Sequence, residues 1–334
     1  MSAFDTDILP EQLTALLQPA LADEGFVHLL HNLLAAVREI GNVMRNGGYG
    51  HDVVGSTNSF GDEQLDADIK TDEVMFRHLR ASGVVHVGSS EETPVETPCG
   101  GSGPGLGFSV AFDPLDGSSI IGANFAVGTI AGVWPGNRLL NRTGAEQLAS
   151  IIALYGPRVT VALAFNTAAT VSGEKICCEL TMLPHRWQLT TPQFNIREEC
   201  KTFAPGNLRA TADHANYNTL VSYWIDNKYT LRYSGGLVPD VYHILHKGGG
   251  VLSNASSPSA KAKLRLLYEC APIALIIEAA GGMSCACASE AGEADGPESV
   301  LNVVISDLDK RIGVCFGSKV EVQRFIDHIH TASA

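Results

Sequence analysis

Apolar residues recur as Val27, Leu30, Leu34, Val37 and Met44, the spacing of one helix face, and Gly47-Gly48 supplies a C-terminal stop. A loop rich in Gly, Ser and Asn is expected over residues 47–61, followed by a second amphipathic helix carrying Leu65, Ile69, Phe76 and Leu79. Residues 84–87 predict a short buried strand running into Gly88-Ser89-Ser90-Glu91-Glu92. The glycine-rich run 99–107 is loop by composition, and its glycines lack the dinucleotide-binding spacing. A strand over 107–112 is expected to end at Asp113-Pro114-Leu115-Asp116-Gly117-Ser118-Ser119. Further strands are expected at 125–134, 159–165 and 176–182, and helices at 215–227, 238–247 and 264–280. The last unit pairs a strand at 312–316 with a helix whose Ser318-x-x-Glu321 start has capping-box form. Strands and helices alternate without a run of one type or an internal repeat, which predicts a mixed α/β (α+β) fold in layers. A chain of 334 residues is long enough for two domains or two fused halves, here 1–200 and 201–334.

Composition narrows the partners. With 23 Lys and Arg against 36 Asp and Glu, the net charge is -13, so neither nucleic acid nor an anionic membrane is expected as the main partner. A small anionic substrate would need metal ions or a few local cations to overcome that field. The eight cysteines are irregularly spaced, which favours reduced thiols; Cys285-x-Cys287 is too close and too isolated for a typical zinc site. The first residues lack the basic and apolar regions of a secretory signal, and the final Ala-Ser-Ala is not a peroxisomal address. Glu278 interrupts the longest apolar stretch well short of a membrane span. The expectation is an intracellular soluble protein, cytoplasmic by default, with an organelle still open.

The chemistry concentrates in carboxylates. In FDPLDGSS a rigid Pro-Leu pair separates two acids at the end of an apolar strand, leaving the Leu115 carbonyl as a further oxygen ligand. Gly117, Ser118 and Ser119 would then expose successive backbone N–H groups, a ready anion site. Asp-Pro-x-Asp-Gly is also a good surface turn, and an exposed Glu91-Glu92 pair is often a solvated loop. The acids Asp62, Asp66, Asp68 and Asp72 crowd a helix start, where the dipole favours them whatever their function. Asp62 and Asp68 share no face of a regular helix, so they converge only if Asp62 lies in the loop or at the cap. An all-oxygen donor set suits magnesium, with manganese as substitute, rather than zinc or copper. Carboxylates beside a phosphate cradle, with no Walker loop, favour metal-assisted hydrolysis over kinase chemistry.

The segments FDPLDGSS, GDEQLDAD, SSEE and KAKLRLLYE together resemble the fructose-1,6-bisphosphatase and sedoheptulose-1,7-bisphosphatase family, over roughly residues 25–330. Asp-Pro-x-Asp-Gly alone would also fit the inositol monophosphatase relatives. GVWPG, YGPR, FAPGNLRAT, LRYSGGLVPDV and SPSAKAKLRLL are more similar to the sedoheptulose branch than to the fructose branch. The resemblance implies a sugar-phosphatase fold layered αβαβα, and hydrolysis of the 1-phosphate of sedoheptulose 1,7-bisphosphate, with fructose 1,6-bisphosphate the alternative substrate. It implies that Asp62, Asp68, Glu91, Glu92, Asp113, the Leu115 carbonyl, Asp116 and Glu269 bind or orient the metals. Asp68 and Glu92 would position and deprotonate the attacking water. Gly117, Ser118 and Ser119 would hold the departing phosphate, with the Arg265 charge nearby.

At the far end of the sugar, Asn207, Arg232, Tyr233 and Lys263 match the family's distal phosphate site, and Arg232 would reach in from a neighbouring subunit of a homodimer or homotetramer. Arg209 stands where the fructose enzymes have a tyrosine, and its guanidinium could grip a terminal phosphate. That distal group separates a bisphosphatase from an inositol-phosphate-type enzyme. A non-catalytic sugar-phosphate sensor would have lost a metal-binding acid, and none is missing. Gly107-Phe108 replaces the Lys-Tyr pair linked to nucleotide inhibition in many fructose enzymes, and 47–61 holds no cysteine for a thiol switch at that place.

Overall fold

The computed structural model describes residues 9–19, 21, 25–45, 53–57, 63–102, 107–287 and 298–329. Helix α1 (Phe26–Arg45) buries Phe26, Leu29, Leu30, Leu33, Leu34, Val37 and Ile40, the stripe that its three-to-four-residue spacing predicts. Strands β1 (Val53–Thr57) and β2 (Glu63–Leu65) form an antiparallel pair ahead of helix α2 (Asp66–Ala81). Next come β3 (Val85–Ser90), β4 (Thr97–Pro98), β5 (Phe108–Asp116), β6 (Val127–Pro135), β7 (Ala149–Tyr155), β8 (Val159–Phe165), β9 (Ile176–Leu183) and β10 (Arg186–Thr191). They make one eight-stranded sheet in the order β10-β9-β8-β7-β6-β5-β3-β4, antiparallel except for the β3–β5 pair.

The remaining elements are β11 (Thr202–Gly206), α3 (Ala215–Asp226), β12 (Thr230–Leu231), α4 (Leu237–Lys247), β13 (Val251–Asn254), α5 (Ala271–Ala279), β14 (Met283–Cys287), β15 (Gly313–Gly317) and α6 (Lys319–Ile329). Their strands form a five-stranded sheet in the order β12-β11-β13-β15-β14. Alternation along each strand sends side chains to both faces, so each sheet packs on two sides. Val110 and Phe112 join α1 and α2 on one face of the large sheet, while Ala111, Ile130 and Ile152 meet α4 and α5 on the other. The small sheet closes that middle layer with Leu252, Val314 and Phe316, and turns Phe203, Val251 and Cys315 towards Trp224 of α3 and Phe325 of α6. The result is the expected αβαβα layering. Helix α5 is apolar nearly all round because it lies between two sheets, with Ile273, Leu275, Ile276 and Ile277 fully buried.

Four local expectations change. β1 lies inside the segment expected to be loop, and Leu65, assigned to the second helix, is in β2 instead. Strands β5 to β10 follow one another with only short turns or helical turns between them, so alternation with helices fails there. The half-polar edge strand Arg186–Thr191 and the alanine-containing Ala149–Tyr155 gave too little periodic signal. The Ser318-x-x-Glu321 capping box is replaced by longer-range bonds. Ser318 Oγ accepts from Gly250 N–H at 3.2 Å, and the buried Glu321 carboxylate accepts from Trp224 and Tyr229.

Helix α4 comes close to the large sheet at Gly128, which faces Asp116 across the β5–β6 pair. A Cβ there would sit 2.4 Å from Val238 Cβ, so the glycine lets the first turn of α4 lie directly on β6. Gly128→Ala should therefore lower the unfolding free energy by about 1–3 kcal/mol through overpacking. An unchanged urea midpoint would contradict this close approach.

Candidate active site

The strand expected to stop before the acids instead runs through them, with β5 ending at Asp116. Its register with β6 breaks between Asp113 and Asp116. In a regular strand residues three apart point to opposite faces, and a bulge is what re-aims one of them. Here both carboxylates converge with Glu269, with ligand oxygens within 4.8 Å of one another and all three residues buried. Asp113 accepts a hydrogen bond from Leu115 N–H at 2.9 Å, and the Pro114 carbonyl accepts from the Thr129 hydroxyl at 2.8 Å. These bonds fix the Asp-Pro-Leu-Asp turn from inside.

Asp116 is held from the other half of the chain. Its two oxygens accept from Leu237 N–H at 3.1 Å and Val238 N–H at 2.6 Å, the first turn of α4. A helix N-terminus favours negative charge, yet burial outweighs it and pushes the Asp116 carboxyl up. Glu269 lies in a π-helical turn, Leu266–Cys270, leading into α5, and accepts from Arg265 N–H at 2.6 Å. Burial, then the charge of Glu91, raises Glu269 well above the usual carboxylate range; Asp113 is raised by burial and by Glu91, Asp116 and Glu269.

Glu91 is placed beside this group because its N–H continues the β3–β5 ladder onto the Phe112 carbonyl, at 3.1 Å. Its carboxylate pairs with the buried Arg265 guanidinium, which also donates to Asp309 at 2.7 Å. Burial opposes the Arg265 charge, but Glu91 and Asp309 hold it protonated. Glu92 follows at the same turn, half-buried. Asp68 is buried in the first turn of α2, and Asp72 one turn on accepts from the Thr93 hydroxyl at 3.0 Å. Thr93 N–H in turn donates to Ser90 Oγ at 2.8 Å, so Asp72 braces the turn that carries Glu91 and Glu92. Asp62 lies outside the described residues.

Gly117 adopts a left-handed conformation, φ 87°, and caps the helical turn Ser118–Ile121, so the expected anion cradle has helix-start geometry. The distal residues are set apart on the small-sheet half: Arg209, Arg232, Tyr233 and Lys263 are all exposed. Tyr233 is pushed up by burial and by Asp240, with Arg209 acting in the opposite direction. Asn207 uses both amide hydrogens on the Ala255 and Ala260 carbonyls, each at 2.7 Å, leaving no side-chain donor for another anion. It holds the segment that leads to Lys263. Sequence reasoning did not assign roles to Asp72, Thr93, Asp240 and Asp309. The four-residue step from Asp68 to Asp72 was a usable signal, whereas nothing local ties Asp309 to Arg265.

All eight cysteines are free thiols and all but the half-exposed Cys200 are buried. Burial pushes the Cys285 thiol up to about 12, the setting of an inert core thiol.

Family models for the fructose-1,6-bisphosphatase N-terminal and C-terminal domains match residues 12–173 and 196–330. The chain belongs to the fructose-1,6-bisphosphatase family. Within that family it is 44% identical to the chloroplastic sedoheptulose-1,7-bisphosphatase of Triticum aestivum, over 97% of this chain and 78% of that protein. A class 1 fructose-1,6-bisphosphatase of Geobacter metallireducens is 34% identical over 92% of this chain and 91% of its own length. Among solved structures, a Toxoplasma gondii protein provisionally named sedoheptulose-1,7 bisphosphatase superposes with a TM-score of 0.78. That match covers 90% of this chain and 94% of the other, at 36% identity. The family is metal-dependent, and the donor set fits: a buried all-oxygen cluster whose mutual repulsion a hard cation would relieve. Among the described residues no helix is long and apolar enough to cross a membrane.

Burial also pushes Asp72 up to about 6 from 3.8, against the hydrogen bonds from Ser90 and Thr93. Between those values the folded chain keeps a proton that the unfolded chain has released, so this group removes stability as pH rises from 4 to 6. A shift of that size corresponds to roughly 2–3 kcal/mol. Asp72→Asn should abolish this contribution, so its stability relative to wild type should rise over that window in urea unfolding of the metal-free protein. A difference independent of pH would contradict the raised pKa.

Proposed function

We propose that this protein hydrolyses the 1-phosphate of sedoheptulose 1,7-bisphosphate, giving sedoheptulose 7-phosphate and inorganic phosphate, with magnesium as cofactor and manganese as substitute. The observation that carries the chemistry is the convergence of Asp113, Asp116 and Glu269, contributed by both halves of the chain, into one buried cluster. The sugar is argued from relatives. Those named for sedoheptulose 1,7-bisphosphate reach 41–44% identity, against 34% for the Geobacter fructose enzyme.

Asp113, Asp116, Glu269, Glu91, Glu92, Asp68, Asp62 and the Leu115 carbonyl would hold or orient the ions. Magnesium there supplies positive charge that polarises the phosphate ester and makes water easier to deprotonate. Asp68 and Glu92 take the proton of the attacking water. The water oxygen bonds to phosphorus as the bond to the sugar C1 oxygen breaks, and that oxygen leaves as a hydroxyl by taking a proton from solvent, which balances the one the carboxylates accepted and later release. The amides of Gly117, Ser118 and Ser119 hold the phosphate, and Arg265, aimed by Asp309, adds a fixed charge. Arg209, Arg232, Tyr233 and Lys263 bind the distal phosphate, and Asn207 shapes the segment before Lys263. Arg232 is contributed by a neighbouring copy in a homodimer or homotetramer, working in a soluble compartment. The junction of the halves falls near residue 200.

A direct comparison of kcat/KM with magnesium should rank sedoheptulose 1,7-bisphosphate above fructose 1,6-bisphosphate, and both far above inositol 1-phosphate. Lys263→Ala should raise KM for the bisphosphate about tenfold or more, as expected for loss of a charge-assisted phosphate contact, with a smaller change in kcat. Preference for inositol 1-phosphate would overturn the bisphosphatase assignment, and an unchanged KM would remove Lys263 from the distal site.

A further inference from the structure

The segment between Tyr233 and α4 joins the two ends of the site, and one buried acid organises it. Asp240, in the first turn of α4, is 6% exposed. Its Oδ1 accepts from Ser234 N–H at 2.7 Å and its Oδ2 from Gly235 N–H at 3.3 Å. Ser234 Oγ also accepts from Gly236 N–H at 3.3 Å, closing a compact turn. Gly235 has φ +98°, a conformation that side-chain-bearing residues rarely adopt.

This turn touches the phosphate cradle on one side. A Cβ on Gly117 would lie 3.5 Å from Gly236 Cα, and one on Gly236 would lie 3.3 Å from Ile120. On its other side the turn is covalently continuous with Tyr233, a distal contact that this chain keeps for its own site while its Arg232 serves the neighbouring copy. The same helix turn donates Leu237 and Val238 N–H to Asp116. Asp240 therefore fixes the short backbone path from Tyr233 to the cradle, although it is aimed at neither phosphate.

We propose that Asp240 is a positioning residue that sets the separation between Tyr233 of the distal site and the 1-phosphate cradle, and so favours substrates carrying both phosphates. The proposal rests on the bisphosphatase assignment above. A purely structural acid is the competing explanation, since a helix N-terminus favours a carboxylate in any case. The two differ in what they do to selectivity. General loosening of the fold would weaken all substrates alike. A displaced Tyr233 weakens only those that reach it.

The test measures kcat/KM for sedoheptulose 1,7-bisphosphate and sedoheptulose 1-phosphate in wild type, Asp240→Ala and Asp240→Asn, with calorimetric magnesium binding to each. Asp240→Ala should lower the bisphosphate-to-monophosphate ratio about tenfold, mostly through KM for the bisphosphate, since losing the acceptor for Ser234 and Gly235 N–H releases the turn. Magnesium affinity should change by less than about threefold if the metal cluster is undisturbed. Asp240→Asn keeps one acceptor for Ser234 and should recover part of the ratio; it also decides the matter if the alanine variant does not fold. A wild-type ratio in the folded variants, or equal losses for both substrates, would overturn the role of Asp240 alone. A wild-type enzyme that does not prefer the bisphosphate would overturn the bisphosphatase assignment and this inference with it.

Discussion

Asp113, Asp116 and Glu269 repel one another in a volume that excludes most water, and the surrounding structure is arranged to keep them there. Burial of like charges is unfavourable unless protons, cations or hydrogen bonds offset it. The chain supplies hydrogen bonds to each: Leu115 N–H to Asp113, Leu237 and Val238 N–H to Asp116, and Arg265 N–H to Glu269. Backbone donors hold the geometry without neutralising the charge, and the acids remain shifted towards protonation. The cluster is an incomplete electrostatic arrangement that a hard divalent ion completes.

The layers exist, in functional terms, to deliver these groups. β5 brings two acids, the β3–β5 ladder brings Glu91, and the middle helical layer brings Glu269 and the start of α4. Gly128 permits the close contact of α4 with β6 that lets Val238 N–H reach Asp116. Arg265 then links the group to Asp309, on the segment before β15. Substitutions at positions without any metal-ligating atom can thus alter the site by moving what it is mounted on.

Much of this was legible in the residues. Helices α1, α2, α3 and α4 followed from periodicity, and FDPLDGSS identified the centre of the cluster because rigid spacing and acidity occur together. The strand register that re-aims Asp113 and Asp116 was not legible, since it depends on pairing with β6, and side-chain periodicity alone placed the strand end too early. Asp309 and Asp240 were silent for a related reason: each acts on a partner by folding, and only for Asp240 is that partner close in sequence. The apparent capping box at Ser318 shows the converse, a correct local motif whose side chains are taken by the longer-range partners Gly250, Trp224 and Tyr229.

The central claim is that these buried carboxylates are held together against their own repulsion in order to bind divalent ions. Calorimetric melting of wild type and Glu269→Gln, each with and without magnesium, tests it directly. The metal-free variant should melt above metal-free wild type, because the cost of burying an acid beside Glu91 and Asp116 is gone, and magnesium should raise the melting temperature of wild type by several degrees, about 4 kcal/mol near a thousandfold excess over Kd, while leaving the variant nearly unmoved. A magnesium-induced rise of the same size in both proteins would contradict the claim.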